Sequence, residues 1–267
     1  MEQQVIIITG ASSGFGKATA EMLAAKGHTV YGLCRREMQD SNIKYRQCDV
    51  RNREQTSAVV AQIVAEQGRV DVLVNNAGMG IGGALELATA EEIDLQMGTN
   101  FMGCVNMCQA VLPHMRKAGK GKIINLSSIG GLMGLPYQGF YSASKFAIEG
   151  FTEALSAEVT RFGIRVCMVE PGDFATGFTG SRRNSQTTLD DPNYGPVFKR
   201  SLDIIEKEEN GGLPPDKLAR RIVKLVEMKR PPLRNVVANF EQWLSTVIKH
   251  ILSGNQMVGV LRDYYKC

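Results

Sequence analysis

The segment from Val5 to Gly27 constrains the fold of this 267-residue chain more than any other stretch. Val5 to Thr9 is a β-branched, apolar run without polar alternation, the pattern of a strand covered on both faces of a parallel sheet. The glycine-rich turn T-G-A-S-S-G-F-G follows at once, and KATAEMLAAKG then predicts a helix that stops at Gly27. Strand, glycine turn and helix in this order form a dinucleotide-binding arrangement, because side chains at the turn would keep a pyrophosphate away from the helix N-terminus. Gly10, Gly14 and Gly16, with Ser12, Ser13 and Phe15 between them, are therefore candidate cofactor contacts.

The elements that follow repeat the alternation of strand and helix. A strand over His28 to Leu33 leads into Cys34-Arg35-Arg36. Folds of this kind that take NAD place a carboxylate near this point to receive the ribose hydroxyls, whereas an Arg accommodates a 2′-phosphate. Cys34 stands where the acid would be, so Arg35 and Arg36 favour the phosphorylated cofactor, NADP. A third strand within Ile43 to Val50 ends in Cys48-Asp49-Val50, where Asp49 is placed to accept from an adenine amino group. After a helix over Arg53 to Gln67, the strand Val70 to Val74 ends in Asn75-Asn76-Ala77-Gly78. These amides either brace neighbouring loops or line the crevice.

The chemistry concentrates between Gly121 and Phe151. A strand-like run, Lys122 to Leu126, opens into Ser127 and Ser128, crosses a glycine-rich turn, and enters a helical pattern carrying Tyr141 and Lys145. Four residues apart on a helix means one shared face. An ammonium beside a phenol favours phenolate, and lowering the ordinary pKa of about 10 by two or three takes roughly 3 to 4 kcal/mol. Ser128, at a strand end, can offer a hydroxyl to the same pocket.

Taken in order, TGASSGFG, CDV, NNAG, Asn100, Ser128 and YSASK resemble the short-chain dehydrogenase/reductase family, over about Val5 to Thr176. The resemblance implies a doubly wound parallel sheet, the Rossmann fold, in a single domain over 1–267. It also implies a catalytic set of Asn100, Ser128, Tyr141 and Lys145, in which Lys145 also binds the nicotinamide ribose and Asn100 holds a proton-relay water. Pro171-Gly172 and Thr176 match the family's turn against the nicotinamide carboxamide. No metal enters this scheme. The implied activity is an NADP(H)-dependent exchange of hydroxyl and carbonyl, in a homo-oligomer.

Ile129, Leu132, Met133, Leu135, Pro136, Tyr137, Phe140, Phe174 and Phe178 surround these residues and predict an apolar pocket. The whole chain resembles the family's steroid, retinoid and long-chain ketone reductases, which points to a lipophilic substrate such as a steroid or a 3-keto sphingoid base. A polar, irregular insertion over 178–212 reads as a substrate lid. In the extension 239–267, Phe240, Trp243, Leu244, Val247, Ile248, Ile251 and Leu252 form a helical apolar stripe. It packs on the core or on a partner subunit, closes the pocket, or rests on a membrane surface.

Charge bears on that choice. From Pro214 to Cys267 ten Lys/Arg stand against four Asp/Glu, although the whole chain is only +4. A basic tail of this kind suits peripheral contact with an anionic surface and does not call for nucleic acid. Six scattered cysteines without metal-ligand spacing suit reduced thiols in the cytoplasm. A cofactor-binding regulatory protein, or a lipid-binding one without turnover, is the alternative. The joint presence of Ser128, Tyr141 and Lys145 argues against it.

Overall fold

The computed structural model describes residues 2–175 and 177–267, apart from the side chain of Phe178. Strand β1 (Val5–Thr9) is buried along its whole length. Because successive strand residues point to opposite faces, Ile6 and Ile8 enter one core while Ile7 enters the other. Two cores explain why the run lacks polar alternation.

Strands β2 (Thr29–Cys34), β3 (Ile43–Gln47), β4 (Val72–Asn75), β6 (Gly121–Leu126), β7 (Ile164–Pro171) and β9 (Val236–Val237) join β1 in one sheet. The order is β3-β2-β1-β4-β6-β7-β9, and every neighbouring pair is parallel. Helices α1 (Gly14–Ala25) and α9 (Pro215–Glu227) cover one face, and α2 (Arg53–Gln67), α4 (Gly103–Ala118) and α5 (Gly139–Val159) cover the other. The strand order reverses between β1 and β4, which leaves a crevice at their carboxyl ends. This is the doubly wound α/β fold that the family resemblance implied.

Three regions depart from the sequence-based expectation. The segment from Glu91 to Lys117, which has helical periodicity throughout, is divided into α3 (Ala90–Met97), a π-helical stretch from Gly98 to Met102, and α4. The expected irregular insertion contains α6 (Phe178–Ser181), α7 (Gln186–Asp190) and α8 (Gly195–Asn210). Its strand β8 (Arg183–Asn184) pairs in parallel with β5 (Ile81–Gly82), and the fully buried Phe198 anchors α8. Polar composition hid an amphipathic helix whose inner side is Phe198, Ser201 and Ile205.

The third region is the apolar stripe, where the structure departs from only one of the alternatives, packing on the chain's own core. It lies on α10 (Phe240–Ile248), where Phe240, Trp243, Leu244 and Val247 stay exposed, as does Ile251 beyond it. The polar side of α10 turns inward instead. A last helix, α11 (Gly254–Tyr265), opens with a capping box between Ser253 and Gln256 and buries Met257 and Tyr265.

Candidate active site

The glycine turn is held in place by main-chain contacts. Gly10 has φ +66°, and a Cβ there would come within 2.9 Å of the Ala77 Cα. At Gly16 a Cβ would lie 2.4 Å from both the Gly10 carbonyl oxygen and Asn76 Nδ2, so only glycine lets α1 approach β4 this closely. Asn76 Nδ2 donates to the carbonyls of Thr9 (2.9 Å) and Gly10 (3.2 Å), and Thr9 Oγ1 accepts from the Asn76 and Ala77 amides. Of the two readings of this amide, the structure shows the brace directly.

Gly14, at φ +52°, faces open space, and Ser13 gives the start of α1 no side-chain cap. The first-turn N–H groups of α1 are thus left for an anion, and this cradle fits the pyrophosphate of a dinucleotide. At the end of β2, Cys34 is buried and donates to the Arg36 carbonyl (3.1 Å), which leaves no acid at this position. Arg35 and Arg36 are exposed, and Arg36 donates to the Ser12 carbonyl at 2.9 Å. Asp49 is not idle: Arg51 pairs with it at 2.6 Å and holds its carboxyl below the usual range. Val50 is buried and its carbonyl accepts from Asn106 Nδ2 (2.9 Å), so it shapes the wall from behind.

Ser128, Tyr141, Lys145 and Asn100 come together at the ends of β4 and β6. Ser128 caps a short 3₁₀ turn by accepting from the Gly130 amide (3.1 Å), and its hydroxyl is hydrogen-bonded to Tyr141. Lys145 Nζ donates to the Leu126 carbonyl (2.9 Å) and lies 5.7 Å from the Tyr141 ring centroid. A Cβ on Gly78 would sit 3.5 Å from Asn100 Oδ1 and 3.8 Å from Lys145 Nζ, so both groups flank that glycine. Asn100, within the π-helical stretch, donates to Met79 O and Ser144 Oγ (both 3.0 Å) and accepts from the Met79 amide (2.9 Å). Ser144 in turn donates to the Tyr141 carbonyl (2.7 Å), which ties this stretch to α5.

The electrostatics correct one expectation. Burial pushes the Tyr141 phenol up to about 12, opposed by the Ser128 hydrogen bond and assisted by the charges of Glu209 and Asp173. Burial likewise lowers Lys145 to about 8. Lysine was expected to make the phenol more acidic. Its ammonium stands beside the ring, and the loss of water around a phenolate outweighs it.

Above these residues opens a chamber of about 730 Å³ that runs from Phe15, Asn76 and Gly78 past Ser128 and Tyr141 to α8, α10 and α11. Phe15 and Phe174 meet edge to face at 5.1 Å on its wall. Pro171 and Gly172 lie where the sequence put them, and a Cβ on Gly172 would strike Gln242 Oε1 at 2.2 Å. Gln242 clasps Asp173 through both its amide atoms. Thr176 lies outside the described residues.

Several chamber residues escaped the sequence reading: Asp173, Glu208, Glu209, Gln242 and the α11 residues Met257, Leu261 and Tyr265. One signal was present. The inner stripe of α8, Phe198, Ser201 and Ile205, continues in register onto Glu208 and Glu209, and acids that extend an apolar stripe face inward.

The family model for short chain dehydrogenases matches residues 4–187. A 3-ketodihydrosphingosine reductase of Bacteroides thetaiotaomicron is 56% identical over 266 residues, 99% of each chain. Retinol dehydrogenase 8 of Bos taurus is 34% identical over 86% of this chain and 80% of its own. Among solved structures, a short-chain dehydrogenase from Streptomyces avermitilis superposes with a TM-score of 0.83 at 33% identity, covering 98% of this chain and 97% of that one.

Proposed function

The chain belongs to the short-chain dehydrogenase/reductase family, and we propose that within it the protein is an NADPH-dependent reductase of a lipophilic ketone of the 3-keto sphingoid base type. The observation that carries this reading is the Ser128–Tyr141 pair opening into the long chamber, whose far walls are Ile204, Ile205, Met257, Val260 and Leu261. The relative that is similar over nearly its whole length, a 3-ketodihydrosphingosine reductase, supports the same substrate class.

When bound, a nicotinamide dinucleotide supplies the hydride. The hydroxyls of Ser128 and Tyr141 hold the ketone oxygen, and Tyr141 gives it a proton as negative charge builds there. A phenol held near 12 is protonated at neutral pH, which suits reduction. Lys145 steadies the phenolate left behind, and Asn100, beside Gly78 with Lys145, is placed to hold a water through which the proton returns. The exposed Arg35 and Arg36, with no acid at Cys34, support NADP over NAD.

The test is NADPH oxidation with 3-ketodihydrosphingosine by the native protein and by Tyr141→Phe. Turnover by the first and its near absence in the second support the reading; equal rates reject Tyr141 as the acid.

Finer features belong to the same proposal. Residues 178–212 act as the substrate lid, and subunits pair as family members do. All six cysteines are unbonded, five of them buried, which supports a reducing compartment such as the cytoplasm. No helix among the described residues is long and apolar enough to cross a membrane. The exposed face of α10 would provide any peripheral contact with lipid.

A further inference from the structure

The chamber is apolar along most of its length, yet carboxylates interrupt it near the catalytic pair. Asp173 follows β7, Glu208 and Glu209 end α8, and Glu241 begins α10, and all four border the cavity that Ser128 and Tyr141 open into. They are not equivalent. Glu209 is committed, since it accepts from Thr179 Oγ1 at 2.7 Å and pairs with the buried Arg182. Asp173 is held by Gln242. Glu208 is half-buried against the chamber and has no hydrogen bond or ion pair among the described residues.

The cations of the chamber do not answer it. Lys145 is bonded to the Leu126 carbonyl and Lys207 and Lys266 are exposed, while Arg182, which is not part of the chamber's lining, is paired with Glu209. Burial, and after it the charges of Asp173, Glu241 and Glu209, push the Glu208 carboxyl up to about 7, so a cation brought by a ligand would favour its ionised form. Asp173 and Glu208 line the same chamber as the Ser128 and Tyr141 hydroxyls, and the fields of Asp173 and Glu209 reach the Tyr141 phenol. A 3-keto sphingoid base carries an amine on the carbon next to its ketone, and that amine is protonated at neutral pH. A ketone of this kind seated at Tyr141 therefore brings a cation into the chamber that Glu208 and Asp173 line.

We infer that Glu208, with Asp173 beside it, receives the ammonium of a 2-amino-3-ketone and makes the enzyme selective for amino ketones over neutral long-chain ketones. This rests on the reading that the chamber takes a lipophilic ketone, and it adds a specificity determinant that neither the family match nor the catalytic set supplies. Glu208 acts on binding and on the placement of the carbonyl, whereas Tyr141 carries the proton.

Three probes test it on the full chain: 3-ketodihydrosphingosine, its N-acetyl derivative, and the same ketone with hydrogen in place of the amine. The expected result is a kcat/KM at least about tenfold higher for the free amine than for either neutral analogue, the worth of one charge-assisted hydrogen bond. In Glu208→Gln that ratio falls to within about threefold of unity. Equal use of all three by the native enzyme, or a ratio that survives both Glu208→Gln and Asp173→Asn, overturns the inference while leaving the ketone reductase reading intact. Absence of turnover on all three rejects that reading instead. Calorimetric binding of the amino alcohol product against its N-acetyl form then decides the inference by itself, with tighter binding of the free amine supporting it and equal binding overturning it.

Discussion

At the β1–β4 end of the crevice the wall is main chain: glycines at positive φ, unpaired first-turn amides of α1, and loops braced by Asn76 and Thr9. At the other end, under α8, α10 and α11, the wall is side chains, with Met257, Leu261 and Tyr265 set beside Asp173, Glu208 and Gln242. A main-chain wall suits a ligand that every relative shares, since it tolerates no Cβ and little sequence change. A side-chain wall can be rewritten residue by residue, and there a family with one reaction sets its many substrates.

The division can be broken most sharply at its seam. Tyr141→Phe should cut the turnover number about a thousandfold, in the range of a lost general acid, while NADPH affinity by fluorescence titration moves less than about threefold. A parallel loss of nucleotide binding would mean that the two ends are not separable. Gly16→Val attacks the main-chain end alone. With a Cβ already 2.4 Å from Asn76 Nδ2 and Gly10 O, it should weaken NADPH binding about a hundredfold.

Lys145 belongs to both walls, and its titration measures what burial there costs. Its folded pKa is depressed from 10.5 to about 8, so the ammonium is penalised in the folded state. That penalty is complete below pH 8 and is relieved as pH rises from 8 toward 10.5, where the unfolded chain still holds the proton. Urea unfolding of the native protein should therefore gain about 3 kcal/mol across that window relative to Lys145→Met. Identical pH profiles in the two proteins would show that the amine is not buried.

Smaller effects sharpen each end. Met257→Ala on α11 should raise KM for the long-chain ketone about tenfold and leave NADPH affinity alone, which steady-state kinetics and titration resolve together. Arg35→Asp should shift the NADPH to NADH preference severalfold to about tenfold, with the ketone KM unmoved. An unchanged preference would remove Arg35 from the 2′-phosphate.

The main-chain end was also the legible one. Gly10, Gly14, Gly16 and the NNAG segment announce themselves because backbone demands fix residue type at fixed spacing. Ser128, Tyr141 and Lys145 were legible because one strand end and one helix face bring them together. The side-chain end was not. The register of Glu208 with Phe198, Ser201 and Ile205 marks it as inward-facing, but whether that face meets a cavity or packed core depends on where α8 lies, through Phe198, on elements distant in the chain. The α10 stripe was legible as a periodicity, but not which of its possible surfaces it meets; its apolar side is the outer one, so it does not pack on the chain's own core. The direction of the Tyr141 shift was missed because desolvation depends on the roof, which a four-residue spacing does not reveal.

The wide turn at Gly98–Met102 has a consequence for how this helical rod can change. A regular helix advances about 100° per residue, so upstream and downstream faces are locked in phase. The extra residue of the π stretch resets that phase, letting Asn100 meet Met79 and Ser144 while Met107, Cys108 and Val111 still enter the core beyond it. Loss of one codon here would restore regular winding and force the rod to give up one alignment or the other, so chain length in this short window is as constrained as residue identity.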